Sequence, residues 1–190
     1  DPCYIMYTSG STGVPKGVTV SHRGVLEYAQ AVADTFGLTE ASVLGLQSGF
    51  HFDNSVFDLY GCLMTGARLV IIPEILFMYP HKLMDLLEEK GVTCVFWVPT
   101  VMISVANSGA LEGRSLPALK TVVFAGEVMP NRQLNLWRRA LPGRVYANLY
   151  GPTEITVDCT CYLVDRDFAD SEPLPIGKPW RGARVLLLKE

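Results

Sequence analysis

The sequence predicts an α/β fold in which a mostly parallel sheet carries helices on both faces. Short runs such as "VTCVFWVP" (92–99) and "LKTVVFAG" (119–126) are almost continuously apolar, as expected for strands buried on both faces. Longer segments such as "SHRGVLEYAQAVADTFG" (21–37) repeat apolar residues at helical spacing. Because the two kinds of segment alternate along the chain, the pattern is typical of βαβ units.

The elements can be assigned in order from these patterns and from glycine or proline at their ends. The first helix has Ser21 as its predicted N-cap and Gly37 as its C-terminal stop. Further helices are predicted at residues 53–66, 81–91, 101–107 and 131–143. Strands are predicted at residues 4–8, 17–21, 42–48, 67–73, 92–99, 119–126, 144–151, 155–164 and 183–190.

Composition restricts the class of function. The 190 residues are 49% hydrophobic and 18% charged, with a net charge of −3 and both signs mixed along the chain. With this balance the sequence shows no concentration of positive charge of the kind that binds nucleic acid or an anionic membrane. The most apolar run, residues 69–79, is interrupted by Pro73 and Glu74 and is too short to span a bilayer. We expect a soluble cytoplasmic protein, a single domain over residues 1–190 and, given the apolar composition, a piece of a larger protein.

The stretch "TSGSTGVPKG" (8–17) is rich in glycine and hydroxyl residues and poor in apolar surface. Glycines let backbone N–H groups approach an anion, and hydroxyls add donors, so the stretch suits phosphate oxygens. Its spacing differs from the GxxxxGK[ST] pattern of a P-loop. On these residues alone, a hairpin or linker is as good an interpretation as a phosphate site.

Longer motifs extend this observation. The run "TSGSTGVPKGVTVSH" (8–22) resembles the phosphate loop of adenylate-forming enzymes, which include adenylation domains of nonribosomal peptide synthetases, acyl-CoA synthetases and luciferases. Blocks at residues 52–71, 122–130, 147–157 and 174–180 resemble further motifs of this family, in the same order. The resemblance covers essentially the whole chain. It implies the flavodoxin-like core subdomain of a large N-terminal adenylation domain, without the C-terminal lid domain.

The resemblance implies an ATP site with Mg²⁺. Tyr150 would stack on adenine, Asn148 would meet its amino group, and Thr153 would contact the α-phosphate. Glu154 would bind the metal, and Thr8, Thr153 and Glu154 are the expected catalytic residues. The other expected nucleotide-binding residues are Ser9, Gly10, Ser11, Thr12, Gly13, Lys16, Gly126, Glu127 and Gly151. From the residues alone, "NLYGPTE" (148–154) can equally be an ordinary turn, and Glu127 can cap the helix that begins near Pro130.

Asp53 decides the substrate class. At a predicted helix start, an aspartate is a natural N-cap. In amino-acid-activating members of the family, the aspartate at this position pairs with the α-ammonium of the substrate. The remaining pocket residues implied by position are Asn54, Phe57, Phe96, Val123, Ala125, Leu149, Val157 and Asp158. The two phenylalanines favour a compact amino acid, whereas Asp158 could meet a displaced or side-chain amine or face solvent.

The implied reaction is attack of the substrate carboxylate on the α-phosphorus of ATP. It releases pyrophosphate and forms an aminoacyl-AMP, which is then loaded onto the phosphopantetheine of a peptidyl or acyl carrier protein. The family's ribose-binding aspartate and the catalytic lysine of its lid domain lie beyond the matching motifs, and Lys16 is not that lysine. We therefore expect these residues alone to be catalytically incomplete and to need the remaining adenylation subdomains.

Three alternatives stay open at this stage. The motifs look especially like D-alanine–carrier-protein ligases but also fit the modules of peptide synthetases. An acyl- or aryl-CoA ligase, in which Asp53 is only a helix cap, is a second enzyme class that fits. A non-catalytic nucleotide-binding module is the third.

Overall fold

A seven-stranded sheet lies at the centre of the structure, a computed structural model that describes residues 1–9 and 13–188. A separate two-stranded sheet pairs β1 with β2 in antiparallel orientation. The order of strands in the large sheet is β4-β3-β5-β6-β7-β8-β9. The strands are β1 Pro2–Thr8, β2 Lys16–Ser21, β3 Val43–Leu46, β4 Arg68–Ile71, β5 Cys94–Trp97, β6 Thr121–Phe124, β7 Val145–Tyr150, β8 Thr160–Leu163 and β9 Lys178–Pro179.

Helices cover both faces of the large sheet, as predicted. The α-helices are α1 His22–Phe36, α2 Ser55–Thr65, α3 Pro80–Lys90, α4 Pro99–Asn107 and α5 Asn131–Ala140, with 3₁₀ turns at Glu74–Met78 and Thr153–Ile155. The predicted caps of α1 are confirmed. The Ser21 hydroxyl accepts a hydrogen bond from the Gly24 N–H at 3.1 Å, and Gly37 ends the helix with φ 61°. Among the described helices, none is long and apolar enough to cross a membrane.

Alternate residues of each central strand enter two different cores. In β5, Val95 and Trp97 pack with α3, α4 and α5, whereas Cys94 and Phe96 pack with α1 and α2. All four side chains are at most 1% exposed. A strand buried on both faces needs apolar residues at every position, which explains the continuous apolar runs in the sequence.

The parallel strands are connected in the flavodoxin-like order. Strands β4, β3, β5, β6 and β7 are parallel, and β8 and β9 complete the sheet in antiparallel orientation. Numbered along the chain, the five parallel strands lie in the order 2-1-3-4-5. The loops after β3, β5, β6 and β7 therefore meet at one edge of the sheet, which is where such folds bind ligands.

Two predicted strands differ from the structure. The strand predicted at 155–164 begins only at Thr160, because Thr156 and Val157 have left-handed backbones with φ 68° and 66° and complete a turn. The strand predicted at 183–190 is absent over residues 183–188, the part that is described. There, the side chains of Leu186, Leu187 and Leu188 are 77%, 96% and 87% exposed, so the chain lacks a partner strand over these residues.

Candidate active site

The end of β7 presents an aromatic ring and an amide beside each other. Tyr150 is the last residue of β7 and is 51% exposed, so its ring offers an open face for a flat ligand. Asn148 is buried, and its Nδ2 donates to the Pro175 carbonyl oxygen at 2.9 Å. No described residue donates to its Oδ1, which leaves an acceptor of the kind that an exocyclic amino group needs.

Gly151 lets the chain turn back immediately after β7. A Cβ at this position would lie 2.4 Å from the Asp158 Cα, which is backbone and cannot move aside. The Cys159 N–H closes the turn by donating to the Tyr150 carbonyl oxygen at 2.8 Å. Between these points the 3₁₀ turn presents Thr153, half-buried, and Glu154, exposed.

The hairpin of β1 and β2 carries the predicted phosphate loop. Thr8 ends β1 and pairs directly with Lys16 at the start of β2, and β2 contacts the Thr153–Ile155 turn. Ser9, Gly13 and Lys16 are exposed, and Gly13 has φ 79°. The predicted residues Gly10, Ser11 and Thr12 lie outside the described residues.

Gly126 and Glu127, which follow β6, take different roles. Gly126 is exposed with φ 89°, and a Cβ there would meet only one atom within 4 Å, the Val98 Cγ1 at 4.0 Å. The Glu127 Oε2 accepts from the Thr100 N–H at 3.1 Å and from the Thr100 hydroxyl at 2.5 Å. Glu127 therefore caps the start of α4, and the suggestion that it caps the helix near Pro130 is wrong.

Asp53 does not cap α2. The N-cap residue is Asn54, which is half-buried and makes no side-chain capping bond. The backbone oxygen of Asp53 accepts a hydrogen bond from the Val56 N–H at 2.9 Å. Asp53 is half-buried, and its carboxylate makes no hydrogen bond to another described residue. The local explanation of Asp53 as a helix cap is therefore wrong, and the carboxylate is available to a ligand.

The predicted apolar pocket residues lie together in the core under α1 and α2. The aromatic rings of Phe57 and Phe96 pack at 4.6 Å between centroids. Six of these side chains are at most 2% exposed: Phe57, Phe96, Val123, Ala125, Leu149 and Val157. They form a closely packed apolar wall within this core.

Asp158 is buried, which corrects the expectation that it could face solvent. Its side chain is 6% exposed, and its Oδ2 accepts a hydrogen bond from the Tyr28 hydroxyl at 3.1 Å. Burial raises the pKa of the carboxyl to about 8; the hydrogen bond from Tyr28 opposes this shift and the charge of Asp53 adds to it.

Two further residues belong to this region and were missed by the sequence reasoning. Tyr28 lies on the buried face of α1, and its hydroxyl is the hydrogen-bond partner of Asp158. Asp58, in the first turn of α2, is fully buried, and neither oxygen has a partner among the described residues. Burial raises the pKa of Asp58 well above its usual value. One sign of these two residues is present in the sequence: each places a polar group on the otherwise apolar face of its helix, Tyr28 in α1 and Asp58 in α2.

The donor set suits a magnesium ion that is held mainly by phosphates. No group of three or more His, Cys, Asp or Glu side chains able to hold a metal occurs in residues 1–9 and 13–188. Glu154 instead offers one exposed carboxylate. Mg²⁺ in nucleotide sites is commonly bound by one or two carboxylates with waters and substrate phosphates, so the residues present fit this ion.

Known proteins resemble this chain over its full length. Residues 1–190 match the family described as AMP-binding enzyme. A L-proline--[L-prolyl-carrier protein] ligase of Streptomyces coelicolor is 37% identical over 100% of the chain and 36% of its own length. A D-alanine--D-alanyl carrier protein ligase of Bacillus cytotoxicus is 34% identical over 98% of the chain and 37% of its own length. The chain thus spans about a third of the length of these relatives.

A solved structure agrees with the fold. The Vibrio cholerae adenylation domain AlmE, in complex with glycyl-adenosine-5'-phosphate, superposes with a TM-score of 0.83 at 31% identity, over 94% of this chain and 33% of that one. The match over residues 1–190 and the shared fold lead to one conclusion. This chain belongs to the AMP-binding enzyme family, together with amino-acid–carrier-protein ligases and adenylation domains.

Proposed function

We propose that the complete protein uses ATP to activate an amino acid as its aminoacyl-AMP and then loads it onto a carrier protein. The observation that carries this proposal is the Asp53 carboxylate, which has no hydrogen-bond partner among the described residues. Asp53 lies in the segment between β3 and α2, and Tyr150 ends β7 at the same edge of the sheet, with Asn148 two residues before it. An ammonium that enters a partly buried pocket needs such a partner, because an unpaired buried charge is costly. The names of the relatives, which are amino-acid–carrier-protein ligases, agree with this assignment.

The nucleotide would lie across the loops after β6 and β7. In this proposal the open ring of Tyr150 stacks on adenine, and the Asn148 Oδ1 accepts from the amino group of the base. The uncovered backbone of Gly126 allows the ring to approach closely. The phosphates are assigned to the hairpin residues Thr8, Ser9, Gly10, Ser11, Thr12, Gly13 and Lys16, and Gly151 keeps the turn beside them tight.

The chemistry needs positioning and charge neutralisation more than proton transfer. The substrate carboxylate is already ionised and attacks the α-phosphorus directly, so no general base is required. Thr8 and Thr153 would hold phosphate oxygens, and Lys16 would add positive charge. Glu154 would hold Mg²⁺, which when bound neutralises charge on the phosphate oxygens. Contact between β2 and the Thr153–Ile155 turn supports a shared role for the two motifs.

The amino acid would lie between Asp53 and the apolar wall. Asp53 takes the α-ammonium, and Asn54, Phe57, Phe96, Val123, Ala125, Leu149, Val157 and Asp158 surround the rest of the molecule. The complete reaction also needs the remaining adenylation subdomains and a carrier protein with its phosphopantetheine, since the chain spans only 36% of its relative. We place the protein in the cytoplasm, where ATP and carrier proteins are available.

Amino-acid-dependent ATP–pyrophosphate exchange by the full-length protein tests this proposal. The panel contains L-, D- and β-amino acids, together with fatty and aromatic acids that lack an amino group. Exchange with an amino acid is the expected result, followed by transfer of that amino acid to a carrier protein. Exchange with simple acids alone would instead assign a CoA-ligase type of substrate, and ATP binding without any exchange would indicate a nucleotide-binding module.

A further inference from the structure

Residues 164–177, which link β8 to β9, are fastened to one face of α5. Asn131, Asn135 and Arg138 are spaced four and three residues apart in α5, so they lie on the same face of the helix. Each donates to backbone carbonyl oxygens of this linker at 2.8 Å: Asn131 to Ala169 and Glu172, Asn135 to Phe168, and Arg138 to Val164. The linker is therefore held against α5 from its first residue to Glu172.

Asn131 fastens a tight turn in this linker. It is the first residue of α5 and is 4% exposed, and its Nδ2 donates to the carbonyl oxygens of Ala169 and Glu172. These two residues are the ends of the turn. The Glu172 N–H donates to the Ala169 carbonyl oxygen at 3.0 Å, and the Glu172 Oε2 accepts from the Ala169 N–H at 2.6 Å. One buried amide thus attaches both ends of the turn to α5.

The far end of the linker contacts the amide of Asn148. The carbonyl oxygen of Pro175, three residues after the turn, accepts from the Asn148 Nδ2 at 2.9 Å. Two residues later, Gly177 passes so close to β8 that a Cβ there would overlap the Cys161 carbonyl group. Because Pro175 lies between the turn held by Asn131 and this close approach, its carbonyl oxygen has little freedom to move.

The Pro175 carbonyl decides which end of the Asn148 amide is left for a ligand. A carbonyl oxygen only accepts hydrogen bonds, so it faces the Nδ2 of Asn148 and not the Oδ1. Rotation of the amide by half a turn would place two acceptors against each other and would break the bond to Pro175. The Oδ1, which accepts from no described residue, is therefore the end that a ligand meets.

We propose that the linker, fastened to α5 by Asn131, selects adenine over 6-oxopurines by fixing the orientation of the Asn148 amide. Asn131 is then a positioning residue for base recognition, although it does not touch the base. The inference rests on the proposed function, in which the Asn148 Oδ1 accepts from the amino group of adenine.

A fixed amide discriminates where a free one would not. Adenine presents an amino group at position 6, which donates to the Asn148 Oδ1, whereas hypoxanthine and guanine present a carbonyl oxygen at that position. An amide free to rotate could turn its Nδ2 to that oxygen and bind either kind of base. An amide held by Pro175 meets a 6-oxopurine with two acceptors face to face, and such unpaired or opposed polar groups give strong specificity.

The test measures dissociation constants of the full-length protein for AMP, IMP and purine riboside 5'-monophosphate by calorimetry. IMP carries an oxygen at position 6, and purine riboside monophosphate carries only a hydrogen there. Wild type should bind AMP about 10²-fold more tightly than IMP. Asn131→Ala should reduce this ratio at least about tenfold, because the released linker lets the amide of Asn148 rotate. Affinity for purine riboside monophosphate, which forms no bond at position 6, should change little.

A second variant and a matched control separate this role from a general loss of stability. Glu172→Ala loosens the same turn through a side chain that is 38% exposed, and it should reduce the AMP to IMP ratio as Asn131→Ala does. Gln133→Ala is the control, because Gln133 also lies in α5 but donates to the Asn107 Oδ1 at 3.1 Å and makes no bond to the linker. It should leave the ratio unchanged.

Equal weakening of all three nucleotides in Asn131→Ala and Glu172→Ala would overturn the inference, since the linker would then serve only the fold. An unchanged ratio in both variants would also overturn it. In either case, amino-acid-dependent exchange by wild type would show that the proposed function stands. Failure of wild type to bind any of the three nucleotides would overturn the proposed function together with the inference.

Discussion

The hydroxyl of Tyr28 donates a hydrogen bond to Asp158 across 130 positions of the chain, at 3.1 Å and in the interior. The ring of Tyr28 also stacks on Trp180, with 14° between the planes. One side chain of α1 thus joins the turn after β7 to the segment after β9. The turn also carries Thr153 and Glu154, so we expect this contact to help hold the proposed phosphate and metal ligands in place.

Asp158 should make the folded protein less stable as pH rises. An aspartate with pKa 3.8 in the unfolded chain and about 8 in the folded one binds its proton more tightly when folded. Its contribution to stability is therefore largest below pH 4 and is lost progressively between about pH 4 and 8. Asp158→Asn should be more stable than wild type at pH 8, by about 1–3 kcal/mol, given roughly 1.4 kcal/mol per pKa unit and partial relaxation.

Thermal unfolding of wild type and Asp158→Asn at pH 5 and pH 8 measures this effect. The difference between the two proteins should grow with pH, and Asp34→Asn should track wild type at both values. A difference that is independent of pH would show that Asp158 is ionised throughout.

Gly151→Ala should disrupt the turn after β7. The new Cβ would lie 2.4 Å from the Asp158 Cα and 2.7 Å from the Val157 carbonyl oxygen, both of them backbone atoms. We expect a loss of stability of about 3 kcal/mol or more, as for other cases of overpacking and backbone strain. Gly61→Ala is the control, because its Cβ meets side chains of Leu38 and Leu44 at ordinary distances of 3.4 and 3.5 Å. Equal melting temperatures for the two variants would contradict this account of the turn.

Tyr150→Ala should weaken ATP binding without unfolding the protein. The ring is half exposed, and its loss removes a stacking surface worth about 1–3 kcal/mol per base, or roughly 5- to 150-fold in affinity. Tyr150→Phe keeps the ring and should bind ATP nearly as wild type does. Titration of the full-length protein with a non-hydrolysable ATP analogue measures both variants. Equal weakening by Phe and Ala would assign the effect to the hydroxyl instead of the ring.

Glu127→Ala should lower stability and leave nucleotide affinity unchanged. The carboxylate accepts two hydrogen bonds from Thr100 at the start of α4, and loss of a helix cap costs about 1 kcal/mol. The melting temperature and the KM for ATP separate the two roles. A higher KM for ATP at an unchanged melting temperature would mean that Glu127 contacts the nucleotide.

Local sequence patterns identified the five parallel strands but not the end of the sheet, where β8 begins later than predicted and β9 was not predicted. Continuous apolar runs such as Cys94–Trp97 identify buried parallel strands, because both faces of each strand are covered. Thr156 and Val157 have high strand propensity, yet both adopt left-handed backbones in which β-branched residues are rare. Tertiary contacts, with the Thr156 hydroxyl close against Gly24 of α1, override the local preference there.

The site was predictable where residues are close in sequence and not where distant ones meet. The residue types from Asn148 to Glu154 suit a nucleotide, but from the residues alone the same run fits an ordinary turn, and the nucleotide assignment stays a prediction. The N-cap explanation of Asp53 was also reasonable locally, but the helix begins one residue later and leaves the carboxylate free. Pairing of Asp158 with Tyr28 has no local signal, because it depends on how α1 packs against the turn after β7.

The central claim is that Asp53 binds the α-ammonium of an amino acid. It is tested most directly by comparing Asp53→Ala with wild type in ATP–pyrophosphate exchange by the full-length protein. Each protein is measured with the best amino acid and with the same acid lacking its amino group. The account predicts that Asp53→Ala loses at least about 10²-fold in kcat/KM for the amino acid, as expected for breaking a buried charge pair, but none for the deaminated acid. Equal losses for both acids, or no loss for either, would contradict it.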